Sequence, residues 1–189
     1  MIGKLAAKFT AGLERNQIID EESREVYIYG FEILISTVLN FLLVLALALL
    51  FRRPLDAAIY MLCTGSLRTT GGGWHADSHI LCMTLHALAF SLVSWLSFAI
   101  WSYVPWFALV LILIISMAIV LIKAPAEHPN NPLEHDVKMR IRRRCIIYMV
   151  LISISVLVFW IFGQHHLSVL TSISSVSAVL TFLVSNKEK

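Results

Sequence analysis

The chain has 189 residues, of which 58% are hydrophobic and only 14% charged, with a mean hydropathy of +0.79 and a net charge of +3. Soluble domains are about half apolar and a quarter charged. This composition therefore excludes an ordinary soluble domain and predicts an all-α, polytopic membrane helix bundle whose apolar surface is largely solvated by lipid.

Residues 1–30 are mixed. Ile2, Leu5, Phe9 and Leu13 share one helical face, with Lys4, Lys8 and Arg15 elsewhere. This pattern predicts an N-terminal amphipathic helix, lying on the membrane surface or packed. No compact apolar run with a small-residue cleavage site precedes it, so no cleavable signal peptide is expected. The acidic run Asp20, Glu21 and Glu22 marks a second helix start. Spanning helices need about 20 apolar residues, and such runs are predicted at 31–51, 80–103, 105–122, 145–162 and 166–185. A shorter run at 55–67 follows Pro54, which suits a helix N-terminus. It is either a short second span, giving about six in all, or a re-entrant element buried by protein. The chain 1–189 is thus read as a single membrane-embedded domain. It has an interfacial region at 1–30, a bundle at 31–185 and a basic loop at 123–144.

Orientation follows from the cations. Lys and Arg favour the cytoplasmic side, and 123–144 holds Lys123, Lys138, Arg140, Arg142, Arg143 and Arg144. Counting two spans either way places the C-terminus and the 68–78 region inside as well. Arg52 and Arg53 disagree: with six spans they face outside, unless they snorkel or 55–67 does not cross.

The chemistry gathers at 68–82, where Gly71, Gly72 and Gly73, then His75, His79 and Cys82, stand between two apolar runs. A histidine beside a cysteine can generate a thiolate nucleophile, and ionisable groups at membrane depth are functional suspects. On a continuous helix, His79 and His86 both reach Cys82. His75 lies two turns away, about 10 Å along the axis, and needs a break, which the glycines with Asp77 and Ser78 can supply. Geometry alone leaves His75 and His79 open. Cys63 and Cys145 read as apolar helical residues, and no disulfide framework is expected from three scattered cysteines.

A second cluster lies at 123–132, where three prolines impose irregular backbone and His128, Asn130 and Asn131 can orient a base or donate hydrogen bonds. The basic run at 138–144 can bind anionic lipid, hold topology or grip an acidic peptide. His75, His79 and Cys82 are also conceivable zinc ligands. However, Ala76 stands where the HExxH motif needs its catalytic Glu, so neither metal nor cofactor is expected.

These residues resemble the accessory gene regulator B (AgrB) proteins, membrane endopeptidases that process quorum-sensing propeptides in Gram-positive bacteria. The likeness covers most of the chain. It rests on Arg68, Gly72, Gly73, His75 and Ala76, on Cys82 at its distance, and on Ala124 and Pro125 followed by His128, Asn131 and Pro132. The resemblance implies a catalytic pair of His75 and Cys82, which decides against His79. Asn131 stands where a basic residue is usual, which leaves that charge's role unfilled. The implied reaction cleaves the C-terminal tail of an AgrD-type propeptide through a thioester on Cys82, then closes a thiolactone or lactone ring. Exclusion of water and proximity of the internal nucleophile are the physical requirements. Arg68, Gly72, Gly73, His128, Lys138, Arg142 and Arg143 are the candidate substrate-binding residues. The implied setting is the bacterial cell membrane, with the active site toward the cytoplasm, lipid and propeptide as partners, no nucleic acid, and a homodimer as a family-level expectation. The rival classes are a multi-pass transporter, disfavoured by the lack of charges in the predicted spans, and a metal-dependent membrane hydrolase using the histidines.

Overall fold

The computed structural model describes residues 2–72, 78–126 and 134–185, which form seven α-helices and no strand among the described residues. They are α1 (Ile2–Arg15), α2 (Arg24–Leu50), α3 (Pro54–Gly71), α4 (His79–Ile100), α5 (Trp106–Lys123), α6 (His135–Ile161) and α7 (His165–Ser185). Five of them, α2 and α4 to α7, are long and apolar enough to cross a membrane. The chain is a multi-pass membrane protein.

The N-terminal helix is amphipathic as expected, and it packs along α2, with Phe9 against Phe31 at 5.7 Å between ring centroids. The acidic run forms a single 3-10 turn at Glu21–Ser23 that leads into α2. The second helix therefore starts seven residues before the expected boundary at 31, because Glu25 and Arg24 do not interrupt a helix that continues past the apolar stretch.

The short run at 55–67 is part of one continuous helix, α3, with Pro54 in its first turn. At 18 residues it is about 27 Å long, close to the hydrocarbon thickness of about 30 Å. Its polar ends, not its length, keep it out of the set identified by composition. Contacts at both ends show that it runs the depth of the bundle. Near its start Asp56 meets Ser94 of α4 and His166 of α7, and near its end Arg68 meets Cys82 at the start of α4. Thus α3 and α7 run in the same direction and α4 runs against them. A re-entrant element would turn back before reaching the second set.

A larger correction concerns 123–144. The basic run at 138–144 belongs to α6, which begins at His135. Charge there does not mean loop. Lys and Arg are good helix formers, Asp136 complements the helix N-terminus, and nothing after Pro132 breaks the helix. Cys145 consequently lies well inside α6 and is fully buried.

The helix α7 is the hub, packed on α3, α4, α5 and α6. Its buried face is built from Ser168, Thr171, Ser172, Ser174 and Ser175. Small side chains let neighbouring backbones approach. Their hydroxyls are satisfied locally, Ser172 donating to the Ser168 carbonyl at 2.9 Å and Thr171 to that of Leu167 at 2.7 Å. Ser168 instead reaches across to the Val156 carbonyl of α6 at 2.9 Å. The turn into α7 is set by Gly163 at φ +73, with Gln164 N–H donating to the Phe159 carbonyl at 2.8 Å, a Schellman closure that glycine favours. Tyr60, Leu67, Phe90, Met149, Leu170 and Phe182 are the large core side chains.

Candidate active site

The end of the bundle where α3 and α7 finish and α4 begins carries the candidate chemistry. Cys82 lies in the first turns of α4, its N–H already donating to the Ser78 carbonyl at 3.0 Å. That N–H is therefore spent within the helix. Cys82 is half-buried, whereas Cys63 and Cys145 are 5% and 0% exposed. It lines a cleft with about 590 Å³ of open space between α3, α4 and α7. Tyr60, Thr64 and Arg68 form the α3 wall, Leu85, His86 and Ala89 continue α4, and Ser177, Ala178 and Thr181 of α7 close it.

Arg68 approaches the thiol, with Nη2 at 3.4 Å from Cys82 Sγ. It occupies the last turn of α3, where a cation complements the helix dipole. Leu67 beside it is fully buried, so the turn is anchored. His86 turns toward Tyr60, with 5.1 Å between ring centroids. Tyr60 is in turn hydrogen-bonded to Ser177 and packed on Phe90 at 5.5 Å. His86 thus shares the cleft with Cys82, one helical turn away as the spacing predicted.

The two sequence clusters meet in space. Ala126 N–H donates to the Gly71 carbonyl at 2.9 Å, tying the segment after α5 to the end of α3. Gly72 has φ +71 and ψ −149, a backbone region essentially limited to glycine. A Cβ on Gly72 would also lie 3.2 Å from the Ala126 carbonyl oxygen. Its presence in the motif therefore has a backbone explanation. Gly73, His75, Ala76, His128, Asn130, Asn131 and Pro132 lie outside the described residues, as does the side chain of His79. Of the basic run, Arg142 donates to the Leu121 carbonyl at the end of α5, Lys138 is half-buried, and Arg140, Arg143 and Arg144 are exposed.

The opposite end holds a polar cluster absent from the sequence reasoning. Asp56, 4% exposed, accepts from Ser94 Oγ at 2.7 Å and lies 3.8 Å from Arg53 Nη1 and 3.7 Å from His166 Nε2. Arg53 also donates to the Ser94 carbonyl at 3.2 Å and sits 3.7 Å over the Phe98 ring. The Arg53 charge is thus matched within the bundle by Asp56. The assumption that the predicted spans carry no charge is corrected too, since Asp56 lies in the 55–67 run. Ionisable groups at the edges of apolar runs were the missed signal. The hydroxyl wall of the cleft, Tyr60, Thr64, Ser177 and Thr181, was also missed, because isolated hydroxyls in apolar helices rarely stand out.

A helical, multi-pass membrane protein with a half-buried cysteine beside an arginine in a cleft between helices is the class that fold and site define. The family model of accessory gene regulator B matches residues 6–184. The chain belongs to that family, and membership implies a propeptide-processing role. It is similar to an AgrB-like protein 2 of Clostridium perfringens (strain 13 / Type A), 26% identical over 151 residues, covering 75% of this chain and 71% of the relative. It is also similar to an AgrB-like protein of Clostridium perfringens (strain SM101 / Type A), 23% identical over 177 residues, covering 86% and 81%. No solved structure matches significantly.

Proposed function

We propose that this protein is a membrane cysteine endopeptidase that removes the C-terminal tail of an AgrD-type propeptide and closes the remainder into a ring. The observation that carries the reading is that Cys82, alone among the three cysteines, lines a cleft, beside Arg68, while Cys63 and Cys145 are buried. His75 takes the thiol proton of Cys82. The thiolate attacks the scissile carbonyl, the C–N bond breaks, and the tail leaves as an amine with the proton from His75. A thioester to Cys82 remains. An internal thiol or hydroxyl of the bound peptide then gives its proton to His75 and attacks that thioester, releasing the ring and regenerating the Cys82 thiolate. Holding the internal nucleophile against the thioester supplies most of the rate, since effective molarities reach about 10⁵ M or more. The largely apolar lining of the cleft limits hydrolysis.

Cys82→Ala should abolish cleavage of a co-expressed propeptide, read by mass, while the protein still inserts. Cys63→Ala and Cys145→Ala should retain most activity. Cleavage by Cys82→Ala at the wild-type level would sink the assignment. Substrate entry and orientation follow the same logic: the cleft opens at the end that carries the basic start of α6, and that end faces the cytoplasm by the positive-inside rule.

A further inference from the structure

We propose that Arg68 is a catalytic residue whose guanidinium stabilises the Cys82 sulfur as a thiolate. This role rests on Cys82 being the nucleophile, and it differs from the substrate-binding role expected for Arg68 from sequence. The observation is the 3.4 Å approach of Arg68 Nη2 to Cys82 Sγ across two helices. Arginine keeps its charge at any working pH. Its field acts in a partly buried cleft, where it is screened far less than in water. A second feature points the same way. Cys82 N–H donates the first bond of the helix, to the Ser78 carbonyl at 3.0 Å, so Cys82 sits just behind the first-turn N–H groups of α4, which have no partner within the helix and favour negative charge.

The placement of Arg68 is built into the fold. Gly71, one turn further on, lies against Phe182 and Cys145 and its carbonyl receives Ala126 N–H at 2.9 Å. The end of α3 is therefore held from α5, α6 and α7, and Arg68 is held with it. Among the described residues, the titratable and charged groups lining the cleft with Cys82 are Arg68 and Tyr60 of α3 and His86 of α4; α7 contributes Ser177 and Thr181. When the thiol ionises, the S–H bond breaks and the proton passes to the base, His75 in the scheme above. Arg68 exchanges no proton. It makes the anion the resting form between turnovers and receives it again when the thioester is resolved.

The experiment is alkylation of Cys82 by iodoacetamide in the purified full-length protein, quantified by peptide mass, at about pH 7 and about pH 10. The wild type should react at similar rates at both, whereas an ordinary thiol slows steeply toward neutrality. Arg68→Gln should slow alkylation at about pH 7 by roughly tenfold or more and leave the rate at about pH 10 nearly unchanged. Arg68→Lys should restore part of the neutral-pH rate, because it keeps the charge without the planar fork. Wild-type alkylation that falls off like a free thiol would overturn the proposal, and that measurement does not depend on any variant folding. So would an Arg68→Gln protein that alkylates normally yet binds propeptide poorly, the pattern of a substrate contact. Failure of Cys82→Ala to stop cleavage would instead remove the peptidase reading, leaving the alkylation result to stand by itself.

Discussion

A methyl group at residue 71 has nowhere to go. A Cβ there would lie 2.7 Å from Phe182 Cζ and 2.9 Å from Cys145 Sγ, both buried. Gly71→Ala should therefore destabilise the protein by about 1–3 kcal/mol, the usual cost of overpacking. Gly65 lies on the same helix with nothing within 4 Å of its would-be Cβ. Gly65→Ala should be neutral or stabilising by up to about 1 kcal/mol. Unfolding of the two variants in detergent, compared with wild type, checks the contrast, and equal effects would refute it. At this scale Cys82 was legible from its glycine and histidine neighbours. Arg68 was visible in the same motif, but its contact was not, because the pair is 14 residues apart and meets only when α3 and α4 pack. The fully buried Cys145 was rightly taken for a packing residue, although its place deep in α6 was not foreseen.

Among the elements, α3 is the one whose reading changed most. Its apolar stretch looks short because Asp56 interrupts it near the start and Arg68 ends it. Those ends now explain it, since each is matched by a partner from α4. Asp56, itself buried, also draws the partly exposed Arg53 and His166 into one cluster. Asp56→Ala would leave Arg53 without its carboxylate and should cost about 3 kcal/mol or more, whereas Asp56→Asn keeps an acceptor for Ser94 and should cost less. Thermal unfolding of both variants tests this, and an Asp56→Ala protein as stable as wild type would contradict it. The long α6 was half legible: its apolar part was found, while its basic first turns were taken for loop. We propose that Lys138 and Arg143 on those turns bind an acidic propeptide tail. Arg142 is fastened to the end of α5 and is better left intact. Replacing Lys138 and Arg143 by Gln should weaken processing of an acidic-tailed propeptide severalfold and spare a neutral-tailed one. Equal loss for both tails would speak for lipid anchoring.

For the molecule as a whole, the two ends of the bundle differ in chemistry. One gathers Arg53, Asp56 and His166 into a neutralising cluster. The other gathers Cys82, Arg68 and the exposed cations of α6. The helical class and the positions of the long spans were readable from hydropathy, since lipid forces backbone polar groups into helices. The order of packing was not, because much of the buried face of the hub α7 is serine and threonine, which carry no strong sequence signal. If the basic end faces the cytoplasm, a membrane-impermeant thiol reagent should label Cys82 in inverted vesicles and not in intact cells; labelling from outside would reverse the orientation. The most direct test of the central claim is mass analysis of the enzyme co-expressed with an AgrD-type propeptide whose ring-closing nucleophile is replaced by Ala. The account predicts that the N-terminal propeptide fragment accumulates as a hydroxylamine-labile adduct on Cys82 and is absent from Cys82→Ala. Tail cleavage without that adduct, or with the adduct on Cys63 or Cys145, would contradict it.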